Sequence, residues 1–100
     1  MMWYAIISDD NENSLPLRAS ARDAHLERLQ ALTAEGRLLL AGPHPAIDAE
    51  TPGEAGFSGS LIVAEFPSLD EARQWADQDP YVFAGVYREV KVKPFKLVLP

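Results

Sequence analysis

The sequence has no cysteine among its 100 residues. Disulfide bonds, thiolate metal ligands and a cysteine nucleophile are therefore excluded. The N-terminal segment from Met1 to Asp10 lacks the positively charged residues with which a signal peptide begins. Its apolar run is also too short for a signal peptide or a membrane span. We therefore expect a soluble protein that does not associate with a membrane, with the cytoplasm as its default location.

Basic residues are also scarce. Nine lysines and arginines stand against 15 aspartates and glutamates, which gives a formal net charge of -6 and a pI near 4.7. This excess of negative charge repels a phosphate backbone, so we expect no nucleic acid partner. The one basic cluster, from Arg88 to Lys96, alternates with apolar residues, as is typical of the wet face or edge of a strand.

The hydrophobic content of 47% is enough for one core, and we predict a single domain over residues 1–100. The segment from Met2 to Ser8 is rich in aromatic and β-branched residues at both alternating sets of positions, which predicts a strand buried on both faces. Three more strands are predicted: Arg37 to Ala41, ended by Gly42-Pro43; Ser60 to Phe66; and one from Tyr87 that is broken at Pro94 and followed by an extended tail, Phe95 to Leu99.

Two helices are predicted between these strands. The first runs from Ala19 to Glu35, and its leucine stripe includes His25. Gly36 follows directly, at the position where a glycine in left-handed conformation commonly ends a helix. The second begins at the capping box Ser68-Leu69-Asp70-Glu71 and ends at Asp79-Pro80, because the residue before a proline is disfavoured in helical geometry.

Two connections complete the chain. Tyr81 to Gly85 is predicted to be a short irregular turn. The segment from Gly42 to Gly59 is rich in proline and glycine, which predicts one long irregular loop. A loop of this length in a small protein is typical of a lid or a partner contact.

The order β-α-β-β-α-β in so short a chain indicates an α+β, ferredoxin-like fold, with two helices on one face of an antiparallel sheet. In this topology the helices are antiparallel, so the start of the first and the end of the second lie at the same end of the sheet. His25 and Asp79 are therefore expected to meet at the end where the long loop leaves and returns. An imidazole beside a carboxylate is sufficient for general acid-base catalysis of a proton transfer.

The predicted strands carry apolar side chains on both faces, although both helices cover the same face. An uncovered apolar face of that size is unusual in a monomer. We therefore predict a homodimer in which two sheets pack face to face. The alternative is a monomer whose sheet is paired at its edge or covered by the C-terminal tail.

Segments across nearly the whole chain resemble the YciI-like proteins. They are His25-Leu26, Arg37 to Pro43, Gly56 to Ser60, Trp75 to Tyr81, Ala84 to Tyr87 and Val92 to Lys96. The resemblance implies a ferredoxin-like protomer that forms a dimeric α+β barrel, in the superfamily of muconolactone isomerase and cofactor-independent monooxygenases. It also implies that His25 and Asp79 form the active site. His44 departs from the family pattern and is not assigned a catalytic role.

In this interpretation His25 is the general acid or base, and Asp79 accepts a hydrogen bond from one of its ring nitrogens. The alternative is that His25 is a packed residue and Asp79 only caps local backbone amides. Arg22 is predicted to hold a substrate carboxylate or to pair with Asp79. Ser60 is predicted to donate a hydrogen bond to a substrate oxygen, and Tyr81 to line the pocket or pack beneath the turn.

The glycines Gly42 and Gly59 are expected to allow close approach of the backbone near the pocket, with Pro43 beside them among the substrate-binding residues. No metal is expected, because none of the usual ligand spacings occurs, and no cofactor is expected. The leading hypothesis is a small cofactor-independent lyase or isomerase that acts on a small polar metabolite. The alternatives are a ligand-binding or accessory homodimer without turnover, and a purely structural dimerisation module.

Overall fold

The computed structural model describes all residues from Met1 to Pro100 and contains four strands and three α-helices. Their bounds are β1 Met2–Asp10, α1 Leu15–Ala34, β2 Leu38–Pro45, β3 Phe57–Phe66, α2 Leu69–Asp77, α3 Pro80–Phe83 and β4 Tyr87–Phe95. The predicted ferredoxin-like order β-α-β-β-α-β is confirmed, with the short helix α3 added before the last strand. None of the helices combines the length and apolar character needed to cross a membrane.

The strands form one sheet in the order β2-β3-β1-β4, and every neighbouring pair is antiparallel. Consequently β1 and β2 run in one direction while β3 and β4 run in the other. The core lies between one face of this sheet and the helices. It comprises Tyr4, Ile6, Leu29, Leu32, Ile62, Ala64, Phe66, Ala72 and Ala76. The leucine stripe of the first helix therefore faces the sheet as predicted, with His25 buried in it.

The opposite face of the sheet carries a set of apolar residues as well. Directly opposed residues share a face of a sheet, and successive residues of a strand alternate between faces. Val63 therefore points away from the core residue Ala64, and its partner Leu40 points with it. By the same pairing rule the apolar members of this open face are Trp3, Ala5, Ile7, Leu40, Leu61, Val63 and Phe95. Charged residues share the face with them: Asp9, Glu65, Glu89, Lys91 and Lys93.

The first helix begins four residues earlier than predicted, at Leu15 rather than Ala19. Pro16 lies in its first turn, where a fixed φ suits the helix and a missing N–H costs nothing. The Ser14 hydroxyl does not cap the helix and instead donates to Asp10 Oδ2 at 2.6 Å. The earlier start matters because it places Arg18 on the helix, one turn before Arg22.

The second and third strands are longer than predicted, and Gly42-Pro43 does not end β2. Pro43 lies opposite Ser60 on an edge strand, and Pro94 likewise lies inside the other edge strand, β4. Proline is tolerated on edge strands, because a missing N–H that would face solvent removes no ladder hydrogen bond. The irregular loop therefore shrinks from residues 42–59 to residues 46–56, which contain one turn of 3-10 helix at Gly53–Ala55.

The segment after α2 is a helix rather than the irregular turn that was predicted. Ser68 caps the start of α2, since its hydroxyl accepts a hydrogen bond from the Glu71 amide at 3.1 Å. At the far end Pro80 starts α3, and the Asp79 carboxylate caps it by accepting from the Tyr81 amide at 2.9 Å. Asp79 is thus fixed between two helices.

Candidate functional site

A cavity of about 350 Å³ opens between α1 and the ends of β2 and β3. Its walls are mainly apolar, with leucines of α1 on one side and Pro43, Phe57 and Ile62 on the other. The charged and polar side chains in its lining are few: Arg18, Arg22, His25, Ser60 and Tyr81. This is the end of the sheet at which the topology predicts a site.

The structure places His25 and Asp79 in direct contact inside this region. His25 Nδ1 lies 2.8 Å from Asp79 Oδ1 and 2.9 Å from Oδ2. The two residues are 8% and 3% exposed, so the pair is shielded from bulk water. Since a carboxylate only accepts hydrogen bonds, it favours the imidazole tautomer with the proton on Nδ1. The other ring nitrogen, Nε2, makes no hydrogen bond to the protein.

Tyr81 holds the imidazole from one side. Its ring stacks on His25 with centroids 3.9 Å apart and planes 9° from parallel. Tyr81 is itself buried, and burial raises the pKa of its phenol above the ordinary value. The ring orientation of His25 is therefore fixed twice, by Asp79 at its edge and by Tyr81 on its face.

Arg18 forms a second buried pair beside the cavity. Its Nε donates to Asp10 Oδ2 at 2.7 Å and its Nη2 to Oδ1 at 2.9 Å, a bidentate arrangement. The same Nη2 donates to the Gly59 carbonyl at 3.0 Å and to Ser60 Oγ at 2.9 Å. Burial lowers the pKa of Arg18, but the hydrogen bond and the charge of Asp10 outweigh burial, so the pKa is raised overall.

Ser60 connects this pair to β4. Its Oγ accepts from Arg18 and also from the Tyr87 hydroxyl at 3.0 Å. Burial raises the pKa of Tyr87, so the phenol stays protonated near neutral pH and remains a donor. Asp10, Arg18, Ser60 and Tyr87 therefore form one continuous hydrogen-bonded network that runs from β1 through α1 and β3 to β4.

The structure agrees with some of the predictions for the other site residues and disagrees with the rest. Arg22, Gly42 and Pro43 line it, although Arg22 is exposed and makes no hydrogen bond or ion pair with Asp79. The expected close approach at Gly42 is wrong, because a Cβ there would meet nothing within 4 Å. At Gly59 the expectation is correct, since a Cβ would overlap the Ser8 carbonyl oxygen.

The loop and the second histidine lie outside the cavity. None of residues 46–56 belongs to its lining, so the loop does not cover the site in this structure. His44 is exposed on β2 and is absent from the lining. No group of three or more histidine, aspartate or glutamate side chains is arranged to hold a metal ion. That the protein requires no metal or cofactor stays a prediction.

The residues that sequence reasoning missed are Arg18, Asp10, Tyr87 and Phe57. A usable signal existed for Arg18. Arg18, Arg22 and His25 stand at i, i+4 and i+7, which puts them on one face of a helix. The signal was lost because the predicted helix began at Ala19.

Comparison with known proteins gives one family match and several similar chains. The model of the YCII-related domain matches residues 2–96. Protein YciI of Escherichia coli O6:H1 is 60% identical over 97 residues, which cover 97% of this chain and 99% of that protein. The derivative of benzaldehyde biosynthesis cluster protein C of Emericella nidulans is 33% identical over 76 residues, which cover 75% of this chain and 78% of that protein.

Among solved structures, the chain is similar to the 5-chloro-2-hydroxyhydroquinone dehydrochlorinase from Burkholderia phenoliruptrix in complex with 2,5-dihydroxybenzoquinone. The TM-score is 0.83 at 28% sequence identity, and the match covers 95% of this chain and 94% of that one. A protein from Agrobacterium tumefaciens matches with a TM-score of 0.52 at 11% identity, which shows a shared fold alone.

Proposed function

This chain belongs to the YCII-related family, and from that membership and the His25–Asp79 contact we propose that it is an enzyme that moves a proton on a small oxygenated molecule. His25 is the general base or acid, and Asp79 is its partner. The observation that carries the proposal is the buried contact between His25 Nδ1 and the Asp79 carboxylate at the edge of a cavity.

The chemistry follows from the tautomer that Asp79 selects. With the proton on Nδ1, Nε2 presents a lone pair to the cavity and can accept a proton from a substrate carbon or hydroxyl. The electron pair left behind moves toward a substrate oxygen or expels a leaving group on the neighbouring atom. Asp79 then lies beside the imidazolium and offsets its charge until the proton is returned. The step needs no redox change, so the proposal invokes no metal or cofactor.

The substrate class is proposed from the cavity and from the similar dehydrochlorinase. That enzyme acts on a hydroxylated, chlorinated ring. The cavity of this chain has apolar walls and a few polar groups, which suits a flat ring with oxygen substituents. We propose that Arg22, Ser60, Tyr81, Gly42 and Pro43 contact the substrate. The reaction is of the lyase or isomerase type, and the cytoplasm stays the proposed location.

The test uses proton exchange, which reports the proposed step directly. Purified protein is incubated in D₂O with 2,5-dihydroxybenzoquinone, and loss of the ring proton signal is followed by NMR. Chloride release from 5-chloro-2-hydroxyhydroquinone is followed in parallel. We expect His25→Asn to slow the catalysed process about a hundredfold or more, because general acid-base catalysis contributes at least that factor.

The control variant is His44→Asn, which changes the other histidine at an exposed position outside the cavity. It should keep the wild-type rate. If the wild type binds these compounds without exchange or chloride release, and His25→Asn binds them equally well, the chain is a ligand-binding protein and the enzymatic proposal is wrong.

We further propose a homodimer in which the open faces of two sheets pack together. The support is the apolar face opposite the helices, on which Leu40 is 45% and Phe95 is 38% exposed in the single chain. Large exposed apolar side chains grouped on one sheet face are typical of a protein–protein contact. A two-fold arrangement would bury the same patch on both chains.

Leu40→Lys tests the dimer by placing a charge on that face, at an exposed position of the edge strand β2. Sedimentation velocity should give a dimer for the wild type and a monomer for the variant, because an unpaired buried charge is costly. Leu17→Lys is the matched control, since Leu17 is 37% exposed on α1, in the opposite layer. A monomeric wild type, or a Leu40→Lys variant that stays dimeric, contradicts the proposed interface.

A further inference from the structure

The cavity carries a second polar feature beside His25, made of Arg18 and Ser60. We propose that Arg18 Nη1 and the Ser60 hydroxyl together bind one ionised oxygen of the substrate. This inference rests on the proposed function, and it narrows the substrate class to monoanionic oxygenated rings such as a phenolate or an ionised hydroxyquinone.

The first step concerns the guanidinium of Arg18. Nε and Nη2 make all four of its hydrogen bonds, to Asp10, Gly59 and Ser60. None of these four bonds uses an Nη1 proton, and the other polar group that interacts with the guanidinium is the phenol of Tyr81, which also lines the cavity. Nη1 is also not sealed in the interior, because the one buried side-chain nitrogen or oxygen without a partner belongs to Arg28. A guanidinium nitrogen at a cavity wall can donate a hydrogen bond to a ligand oxygen.

The second step concerns the proton of Ser60. Its oxygen accepts from Arg18 Nη2 at 2.9 Å and from the Tyr87 hydroxyl at 3.0 Å, which uses both acceptor positions of the hydroxyl. The remaining role of the hydroxyl is to donate. Ser60 is 4% exposed and lines the cavity. Two inbound donors also polarise the O–H bond and make it a stronger donor.

The third step concerns rigidity and charge. The guanidinium carbon lies 5.2 Å from the Phe57 ring centroid and 5.1 Å from that of Tyr81, so aromatic faces hold its plane. The bidentate bond to Asp10 fixes its rotation. Asp10 is already paired with the arginine, and the chain has a net charge of -6. Such a site suits a single negative charge that forms two hydrogen bonds, rather than a phosphate or other polyanion.

The experiment compares two rings that differ in their ability to ionise. 2-Hydroxy-1,4-benzoquinone has one acidic hydroxyl and is a monoanion at neutral pH, whereas 2-methoxy-1,4-benzoquinone is neutral at every pH. Binding of each is measured by calorimetry to the wild type, Ser60→Ala and Ser58→Ala. Ser58 is the matched control, because it is a serine of the same strand that is exposed and outside the cavity.

We expect the wild type to prefer the ionised ring by about tenfold or more, since a hydrogen bond to a charged group is worth that factor. Ser60→Ala should remove most of this preference by weakening only the ionised ring, and Ser58→Ala should change neither affinity. Arg18→Lys should weaken the ionised ring in the same selective way, provided its circular dichroism matches that of the wild type.

The inference is overturned if the wild type fails to bind the ionised ring, binds both rings equally, or keeps its preference in Ser60→Ala. His25→Asn separates this result from the proposed function. If the anion preference survives in His25→Asn while no proton exchange occurs in the wild type, the anion site stands and the enzymatic proposal fails. If exchange occurs without an anion preference, the enzymatic proposal stands and the anion site fails.

Discussion

Asp10→Asn is expected to lower the free energy of unfolding by about 3–5 kcal/mol, the cost of removing one partner from a buried ion pair. The Asp10 side chain is 1% exposed and that of Arg18 is 7% exposed. The substitution leaves the largely buried Arg18 charge without its carboxylate partner. An asparagine oxygen can still accept one of the two hydrogen bonds, so the bidentate geometry is lost as well.

Equilibrium denaturation in urea measures this effect. Asp9→Asn is the matched control on the adjacent residue. The Asp9 carboxylate is 53% exposed and lies 4.0 Å from Arg88, an exposed pair worth at most about 1 kcal/mol. The two variants remove the same charge from neighbouring positions. Equal destabilisation by both would show that net charge, and not the buried pair, decides the outcome.

A double variant tests whether Asp10 and Arg18 act as a unit. Arg18→Met alone should also destabilise the fold, because it leaves the Asp10 carboxylate without its guanidinium partner. If the two residues are coupled, Asp10→Asn combined with Arg18→Met should cost clearly less than the sum of the single effects. Additive effects would mean that each residue stabilises the fold through other contacts, such as the bond between Arg18 and the Gly59 carbonyl.

The fold and the contact between His25 and Asp79 can both be predicted from the sequence. Short runs of apolar residues that cover both faces indicate the inner strands, and a stripe of leucines indicates the first helix. Once the ferredoxin-like topology is assumed, the directions of the helices bring residues 25 and 79 to one end of the sheet. The distance of 2.8 Å between them is a consequence of topology rather than of any local motif.

The ion pair of Asp10 and Arg18 was not predictable by the same reasoning, because both residues lie beyond the predicted elements. The first strand was predicted to end at Ser8, and it continues to Asp10. The first helix was predicted to begin at Ala19, and it begins at Leu15. The i, i+4, i+7 spacing of Arg18, Arg22 and His25 could have placed Arg18 on the helix, but no pattern in the sequence pairs it with Asp10. The two members of the pair resemble ordinary surface charges in the sequence.

The errors at proline have a common physical cause. The sequence predicts that an element ends at Pro43, Pro80 and Pro94, but proline disrupts a strand or helix only where its missing N–H would have formed a hydrogen bond. At Pro43 and Pro94 the strands are edges, so the ladder survives. At Pro80 the same residue that prevents α2 from continuing is suited to the first turn of α3. Sequence alone does not say which strand is an edge.

Gly59→Ala is expected to destabilise the protein by about 3 kcal/mol, at the upper end of the cost of overpacking a buried position. A Cβ at this position would overlap the Ser8 carbonyl oxygen of the neighbouring strand. Neither atom is the end of a flexible side chain, so the two strands must separate locally. The Gly59 carbonyl also accepts from Arg18 Nη2, and a shift there disturbs the network beside the cavity.

Gly42→Ala is the matched control, because Gly42 lies on the adjacent strand and a Cβ there meets nothing within 4 Å. It should leave stability unchanged or raise it by up to about 1 kcal/mol, since alanine has less conformational freedom than glycine in the unfolded chain. Thermal and urea denaturation of both variants decide the matter. Equal stabilities would show that the strands adjust without cost, and would remove the steric reason for glycine beside the Arg18 network.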